Sequence, residues 1–124
     1  KTVFFLTVGT GIGSAIFVDG HLLPNTELGH LEVRGKEAEH RASDAVRRQK
    51  KLSWKRWGKR FTEVLNTYEN LINPDLFIIG GGISSKFENY AEYLKIQTKI
   101  LPAELENLAG IIGAAMAAKE AELP

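Results

Sequence analysis

Residues 2–23 read TVFFLTVGTGIGSAIFVDGHLL, and this stretch decides the fold. Apolar, β-branched and aromatic side chains fill the run before the first glycines and the run after them, so both are predicted to be strands. Asp19-Gly20 is a strong hairpin-turn signal and leads into a third predicted strand at His21-Leu22-Leu23. The sequence therefore predicts an antiparallel meander of three strands.

The middle of the chain carries two helical patterns, after a polar loop with a short strand expected at 31–33. Small apolar residues recur at helical spacing over residues 36–49, which predicts one helix there. A second helix is predicted to begin after Ser53, whose hydroxyl can accept bonds from free backbone N–H groups, and to end at Asn73-Pro74. Its predicted apolar face comprises Trp54, Trp57, Phe61, Val64, Leu65, Tyr68, Leu71 and Ile72.

The rest of the chain alternates strands and helices. Residues 75–79 form a continuous apolar run, which suits a strand covered on both faces. A helix capped by Ser84 or Ser85, a strand at 96–100 and an alanine-rich helix at 103–123 are predicted to follow. The sequence thus predicts an α/β domain with a mixed five-stranded sheet and packed helices. This order of elements is similar to one lobe of the actin-like (ribonuclease H-like) ATPase fold, in which an enzyme needs two lobes with a cleft between them.

Length and composition limit the function classes. The 124 residues fit one domain, 1–124, and 44% hydrophobic with 25% charged residues is the ordinary balance of a soluble globular protein. A net charge of +1 gives no signature of nucleic-acid binding, and no apolar run approaches the roughly 20 residues of a membrane span. The absence of cysteine excludes disulfides, zinc fingers and thiol catalysis, and it suits the cytoplasm. Because Lys1 leads directly into a strand, we expect the chain to be part of a longer protein.

The tip of the first hairpin is a candidate phosphate site, formed by Gly9, Thr10, Gly11 and Gly13. Glycines let a phosphate approach backbone N–H groups closely, and the Thr10 hydroxyl adds another donor. The alternative is a tight turn that binds no ligand.

A second glycine-rich turn, formed by Gly80, Gly81 and Gly82, joins a buried strand to the predicted helix after it. The N-terminus of a helix after such a turn attracts anions, and the glycines would let a flat ring approach the backbone. The alternative is again a tight connection without a ligand.

Glu27-Leu28-Gly29-His30 follows the third strand in a loop. A carboxylate and an imidazole close together can hold a vicinal diol, because Glu accepts from hydroxyls while a neutral His can both accept and donate. A surface loop with an unrelated Glu and His is the alternative.

A basic stretch lies between positions 41 and 60, where 9 of the 16 Lys and Arg residues fall. Lys55, Arg56, Lys59 and Arg60 are its candidate track for a polyanion, against the alternative of a solvated helix face. The two tryptophans within it match the apolar helix face better than a base-stacking surface, so no nucleic acid is expected.

Taken together, these motifs resemble the ROK family of sugar kinases and repressors. The evidence is their order: the glycine hairpin, the Glu27–His30 loop, the strand into Gly80-Gly81-Gly82, and then Asn107-Leu108-Ala109-Gly110-Ile111-Ile112-Gly113-Ala114-Ala115. The resemblance covers nearly the whole chain. It implies that the hairpin is the second of the family's phosphate motifs.

The resemblance also implies a sugar site. In ROK kinases the Glu and His of the Glu-x-Gly-His motif bind sugar hydroxyls, which implies that role for Glu27 and His30. Many members carry a cysteine-rich zinc motif next, ending in a sugar-binding Glu shortly before Ala-Ser. Here Ala42-Ser43 aligns with that Ala-Ser and places Glu39 on the sugar-binding Glu. The cysteines are absent, so we expect no zinc and no protein-held metal.

The cysteine-free version resembles the polyphosphate glucokinase branch of the family. That resemblance implies phosphoryl transfer from polyphosphate or ATP to the 6-hydroxyl of glucose, with Mg²⁺ accompanying the donor, in a homodimeric enzyme. The family's catalytic Asp and its first phosphate motif belong to the N-terminal lobe, and neither occurs in this sequence. We therefore expect no catalytic residue in this chain and no activity from it alone.

Three alternatives stay open at this point. The chain could be the sugar-binding lobe of a ROK-type transcriptional repressor, although such proteins usually keep the zinc cysteines. It could be a non-catalytic domain that binds sugar or phosphate. It could also belong to a kinase for another hexose, such as mannose or an N-acetylated sugar.

Overall fold

The computed structural model of the protein describes residues 1–103. The helix predicted at 103–123, including Gly110 and Gly113, lies outside the described residues except for Ala103. The strands of the described part are β1 Thr2–Val8, β2 Ile12–Val18, β3 His21–Leu23, β4 Glu32–Val33, β5 Lys36–Glu37, β6 Leu76–Gly80 and β7 Lys99–Pro102. Its α-helices are α1 Ala38–Ala42, α2 Asp44–Gln49, α3 Trp54–Ile72 and α4 Phe87–Tyr90.

The main sheet has five strands in the order β3-β2-β1-β6-β7. The first three strands pair antiparallel as the predicted meander, whereas β1 with β6 and β6 with β7 pair parallel. Both Asp19 (φ 50°) and Gly20 (φ 81°) have left-handed backbone in the turn between β2 and β3, as a type I′ turn requires. The mixed five-stranded sheet and the meander are therefore confirmed.

Helix α3 packs along one face of this sheet. Ser53 is its N-cap, as predicted, and its hydroxyl accepts the Arg56 N–H at 3.2 Å. Asn73 ends the helix in the left-handed region (φ 50°). The predicted apolar face is mostly buried, but Leu71 is 62% exposed and its assignment to that face was wrong. It lies at the edge of the buried strip in the last helical turn, where no described residue covers it.

The core between α3 and the sheet is largely aromatic. The ring of Phe4 on β1 stacks on Tyr68 of α3, with 4.8 Å between centroids. Every residue of β6 is buried, which confirms the prediction of a strand covered on both faces. A smaller apolar cluster lies on the opposite face of the sheet and includes Val3, Ile78 and Ala103.

The single helix predicted over residues 36–49 is wrong. The segment begins as strand β5 and then breaks into two short helices at Ser43, which has extended backbone (φ −69°, ψ 162°). The Ser43 hydroxyl accepts the Val46 N–H at 3.2 Å and so caps α2. A serine that bonds nearby backbone competes with helix continuation, which explains the break.

The segment after β6 also differs from the prediction. A 3₁₀ turn at Gly82–Lys86, the four-residue α4 and a second 3₁₀ turn at Ala91–Tyr93 replace one regular helix. Neither predicted serine caps it, because the hydroxyls of Ser84 and Ser85 donate back to the carbonyls of Gly81 and Gly82.

Strand β7 begins at Lys99, later than predicted. The carboxylate of Glu69 accepts the backbone N–H groups of Gln97 (3.1 Å) and Thr98 (2.7 Å). Those donors are therefore taken by a side chain of α3 before the strand ladder begins.

Candidate functional site

Three separate segments meet at the carboxyl ends of β1 and β6, the position where α/β sheets commonly bind ligands. They are the glycine hairpin, helix α1 and the turn after β6. Together they line a cavity of about 370 Å³ whose walls are Thr7, Gly9, Thr10, Gly11, Ile12, Gly13, Glu39 and Gly81. The structure thus places the hairpin candidates beside Glu39 and Gly81.

The hairpin glycines have different structural roles. A Cβ on Gly13 would lie 2.5 Å from Thr7 Oγ1, and one on Gly11 would lie 3.0 Å from Glu39 Oε1, so both positions require close packing. A Cβ on Gly9 would meet nothing within 4 Å. The open space at Gly9 is therefore available to a ligand.

The Glu27–His30 loop is fixed rigidly against the sheet. Its 3₁₀ turn, Leu28–His30, comes so close to β2 that a Cβ on Gly29 would lie 2.0 Å from the Ile12 carbonyl oxygen. The Leu28 N–H donates to Ser14 Oγ at 3.2 Å, and the Tyr68 hydroxyl donates to the Leu28 carbonyl at 2.6 Å. Burial and the nearby charge of Glu39 raise the pKa of Tyr68, which keeps this hydroxyl a donor.

The two predicted sugar carboxylates, Glu27 and Glu39, both lie beside the His30 ring. His30 Nε2 lies 3.8 Å from Glu27 Oε2, and His30 Nδ1 lies 3.8 Å from Glu39 Oε2. The Glu27 side chain is 79% exposed, His30 is 58% exposed and Glu39 is 18% exposed. Glu39 therefore forms the floor where this group meets the hairpin cavity, and Glu27 forms the open rim.

Glu37 also belongs to this group, although the sequence analysis missed it. Its Oε1 lies 2.9 Å from His30 Nδ1. The turn at Arg34 (φ 54°) and Gly35 (φ 84°) folds β4 and β5 into a hairpin and brings Glu37 back towards His30. An Arg-Gly pair between two short polar runs was the available signal, and it is weaker than Asn-Gly or Asp-Gly.

The turn after β6 requires its glycines for packing at two positions. A Cβ on Gly80 would lie 2.7 Å from Phe5 Cζ, and one on Gly81 (φ 82°) would lie 2.8 Å from the Val8 carbonyl oxygen. Gly82 faces open space. Because a 3₁₀ turn follows instead of an α-helix, the predicted attraction of anions to a helix N-terminus does not apply here. Close backbone approach is the feature that this turn retains.

Two acidic residues, Asp44 and Glu63, form ion pairs with different arginines in and near the basic stretch. Arg47 and Arg48 pair with Asp44, each at 3.0 Å, and the Arg47 guanidinium lies 3.9 Å from the centroid of the Trp54 ring. The core assignment of Trp57 is confirmed, since its ring is fully buried and its N–H donates to the Ala42 carbonyl at 2.9 Å.

Glu63 organises the other part of the basic stretch. Arg41 and Arg34 bind its carboxylate at 2.6 Å and 3.0 Å. Burial works to raise the pKa of Glu63, but the hydrogen bonds from Arg41 and Arg34 outweigh it and lower the pKa below its ordinary value. A cavity of about 290 Å³ opens beside this group and is lined by Arg34, Arg41, Leu52, Arg56, Lys59, Arg60 and Glu63. Of the predicted track, only Lys55 is not among the lining residues.

Residues 1–103 contain neither a membrane-spanning helix nor a cluster of metal ligands. No helix in that range is long and apolar enough to cross a membrane. No three His, Asp or Glu side chains in that range are arranged to hold a metal ion.

Known proteins resemble this chain in sequence and in fold. A polyphosphate glucokinase from Mycobacterium tuberculosis (strain CDC 1551 / Oshkosh) is 54% identical over 115 residues, which cover 93% of this chain and 43% of that protein. An inorganic polyphosphate/ATP-glucomannokinase from Arthrobacter sp. strain KM is 45% identical with a TM-score of 0.83, over 98% of this chain and 48% of the other. No family model matches the chain.

A more distant structure extends the likeness of the fold. A ROK family glucokinase from Streptomyces griseus, solved with glucose and AMPPNP, has a TM-score of 0.66 at 20% identity and covers 97% of this chain and 61% of the other. The fold is therefore that of ROK sugar kinases, which are members of the actin-like ATPase fold. The chain spans less than half the length of the polyphosphate glucokinase that it matches.

Proposed function

Because 93% of this chain is homologous to part of the polyphosphate glucokinases, we propose that it is one lobe of a sugar kinase that phosphorylates glucose at its 6-hydroxyl. The observation that supports this proposal most is the position of Glu39. It lines the hairpin cavity and also lies beside His30, so the sugar and phosphate candidates share one cleft.

In this proposal, Glu27, His30 and Glu39 orient the sugar. Ionised carboxylates accept from hydroxyls, and an imidazole can accept or donate, so the group suits a polyol. Glu39 has little freedom, since it is mostly buried and packs against Gly11. The sugar hydroxyl that reacts would therefore be held at the wall formed by the hairpin.

Gly9, Thr10, Gly11 and Gly13 hold the donor phosphates. The turn formed by Gly80, Gly81 and Gly82 lets the rest of the donor approach the backbone at Gly81, which lines the cavity, and at Gly82, which faces open space. Mg²⁺ supplies charge neutralisation when it is bound with the donor. It keeps several waters and needs only one or two carboxylates, so the lack of a metal cluster among residues 1–103 is compatible with it. Glu39 is the carboxylate that lines the cavity.

The reaction needs one group that this chain does not supply. The sugar hydroxyl oxygen forms a bond to the terminal phosphorus as the bond to the leaving phosphate breaks, and its proton passes to a base. We assign that base to a second lobe, which also closes the cleft over the sugar.

We also propose that the enzyme is a homodimer in the cytoplasm. The absence of cysteine suits that compartment.

The activity is tested with the full-length protein that contains this chain. Glucose 6-phosphate formation is followed in a coupled assay with polyphosphate and then with ATP as donor. We expect turnover from the full-length protein and background from residues 1–124 alone. No turnover with either donor would contradict the proposal, and turnover by the isolated chain would show that it contains a base.

Mannose is a second candidate substrate, favoured by the glucomannokinase among the similar structures. The same assay with mannose distinguishes a glucokinase from an enzyme with both activities. The repressor alternative is not favoured, because the similar Mycobacterium tuberculosis protein, at 54% identity, is a polyphosphate glucokinase.

The basic track is the proposed binding site for long polyphosphate. Arg56, Lys59 and Arg60 surround one cavity, and Arg34 and Arg41 extend it. Neutralising Lys55, Arg56, Lys59 and Arg60 together should raise KM for long polyphosphate and leave KM for ATP nearly unchanged, because ATP is too short to span the track. The effect should weaken at high salt, where exposed charges are screened. Equal losses with both donors would contradict this assignment.

A further inference from the structure

Glu37 is a carboxylate beside the sugar residues, and neither the motifs nor the comparisons assign it a role. It is the last residue of β5, where it pairs with Glu32, and the Ala38 N–H that follows it donates to the Leu31 carbonyl at 2.8 Å. Val33, within the same hairpin, is buried in the core. The backbone of Glu37 is therefore held on both sides, and its carboxylate has a defined position.

The carboxylate of Glu37 bridges two imidazoles. Its Oε1 lies 2.9 Å from His30 Nδ1 and its Oε2 lies 3.1 Å from His40 Nδ1. The distances from His30 to Glu27 and Glu39 are both 3.8 Å, too long for hydrogen bonds. Among residues 1–103, Glu37 is thus the hydrogen-bond partner of the His30 ring.

This contact decides which nitrogen of His30 carries the proton. An ionised carboxylate only accepts, so Nδ1 must donate to Glu37. In the neutral imidazole, Nε2 is then the acceptor, and it lies on the side of Glu27. A sugar hydroxyl could donate to Nε2 while its neighbours donate to the carboxylates of Glu27 and Glu39.

We propose that Glu37 is a positioning residue of the sugar site, which fixes the tautomer and the ring orientation of His30 without touching the sugar. This inference rests on the proposed function, because it assumes that His30 binds the sugar. The hairpin that carries Glu37 is held at its tip by Arg34, which donates to Glu63 at 3.0 Å. The position of the imidazole therefore depends on a chain of contacts from α3 through the β4–β5 hairpin.

The test is a double-mutant cycle in the full-length protein with glucose as substrate. Glu37→Ala should lower kcat/KM for glucose by about 10- to 150-fold, the range expected for losing a hydrogen bond to a charged group. KM for the phosphoryl donor should stay near that of the wild type. Glu37→Gln should recover part of the loss, since its amide oxygen can still accept from Nδ1.

The decisive comparison is the His30→Ala background. There, Glu37→Ala should cause little further loss, because its effect passes through His30. His40→Ala is the matched control: it removes the other partner of Glu37 and should leave glucose kinetics within about twofold of the wild type. Nitrogen-15 NMR of the full-length protein should show that the neutral His30 ring carries its proton on Nδ1 in the wild type. In Glu37→Ala this preference for the Nδ1 tautomer should be lost.

Three outcomes would overturn the proposal. Wild-type glucose kinetics in Glu37→Ala would show that the contact has no role. A full loss that persists in the His30→Ala background would mean that Glu37 acts on the fold or on the sugar directly. A wild-type His30 tautomer in Glu37→Ala would separate Glu37 from the imidazole. If His30→Ala itself leaves glucose use unchanged, the proposed sugar site has failed as well.

Discussion

Gly29→Ala is predicted to damage stability and sugar use together. The added Cβ would lie 2.0 Å from the Ile12 carbonyl oxygen, whereas real Cβ atoms essentially never come within 3.0 Å of such a neighbour. The 3₁₀ turn must therefore move away from β2 by about 1 Å. That shift strains the hydrogen bonds from Tyr68 and to Ser14, and overpacking of this kind costs about 1–3 kcal/mol.

The same shift carries His30 away from its position. A misplacement of about 1 Å at a reacting site can cost about 100-fold in rate, so kcat/KM for glucose should fall by about that factor. The assay combines urea unfolding with glucose 6-phosphate formation by the full-length protein. Gly9→Ala is the control for stability, since that position has no neighbour within 4 Å. Wild-type stability and wild-type glucose kinetics in Gly29→Ala would refute the reasoning.

Gly9→Ala should leave unfolding unchanged but raise KM for both donors, because its methyl group would occupy the cavity; unchanged donor kinetics would remove Gly9 from the phosphate site. The lowered pKa of Glu63 means that its contribution to stability is complete above its ordinary pKa of 4.5 and is lost as the pH falls through the lower folded value. Urea unfolding over acid pH should therefore be less pH-dependent in Glu63→Gln than in the wild type, and identical profiles would contradict this. Elemental analysis of the full-length protein should find no stoichiometric zinc, whereas one zinc per chain would overturn the metal-free site and the sugar role of His30.

The strands of the meander could be predicted because their signals are local. β1 and β2 carry continuous apolar runs, and Asp19-Gly20 fits the left-handed backbone that the turn requires. The 3.6-residue period of α3 and its Ser53 cap are equally local signals. In each case neighbouring residues alone determine the conformation, so the sequence predicts it well.

Two of the errors arise from contacts that the sequence pattern does not show. The donors of residues 97 and 98 go to Glu69 on α3, which delays β7, and that contact spans almost thirty residues. Glu37 was missed for a similar reason. Its role depends on a hairpin turn with a left-handed arginine, Arg34, and on a histidine seven residues earlier. Spacing along the chain does not show such a contact.

The sequence predicted which residues form the sugar site but not how they are arranged in space. Residue chemistry offered Glu27 and His30, and the resemblance added Glu39. In the structure each of the two carboxylates lies 3.8 Å from a ring nitrogen of His30. What the sequence did not show is that Glu39 also lines the hairpin cavity, because that depends on how α1 packs against Gly11.

The most direct test of the central claim is kcat/KM for glucose in Glu27→Gln of the full-length protein, measured with polyphosphate and with ATP. Glu27 suits this test because its side chain is 79% exposed and its nearest ionic partner in the described structure is 3.8 Å away, so the substitution should spare the fold. Removing charge-assisted hydrogen bonds worth about 1.5–3 kcal/mol should lower kcat/KM by about 10- to 150-fold, equally with either donor. Unchanged glucose kinetics, or a loss with only one donor, would contradict the assignment of this loop to the sugar.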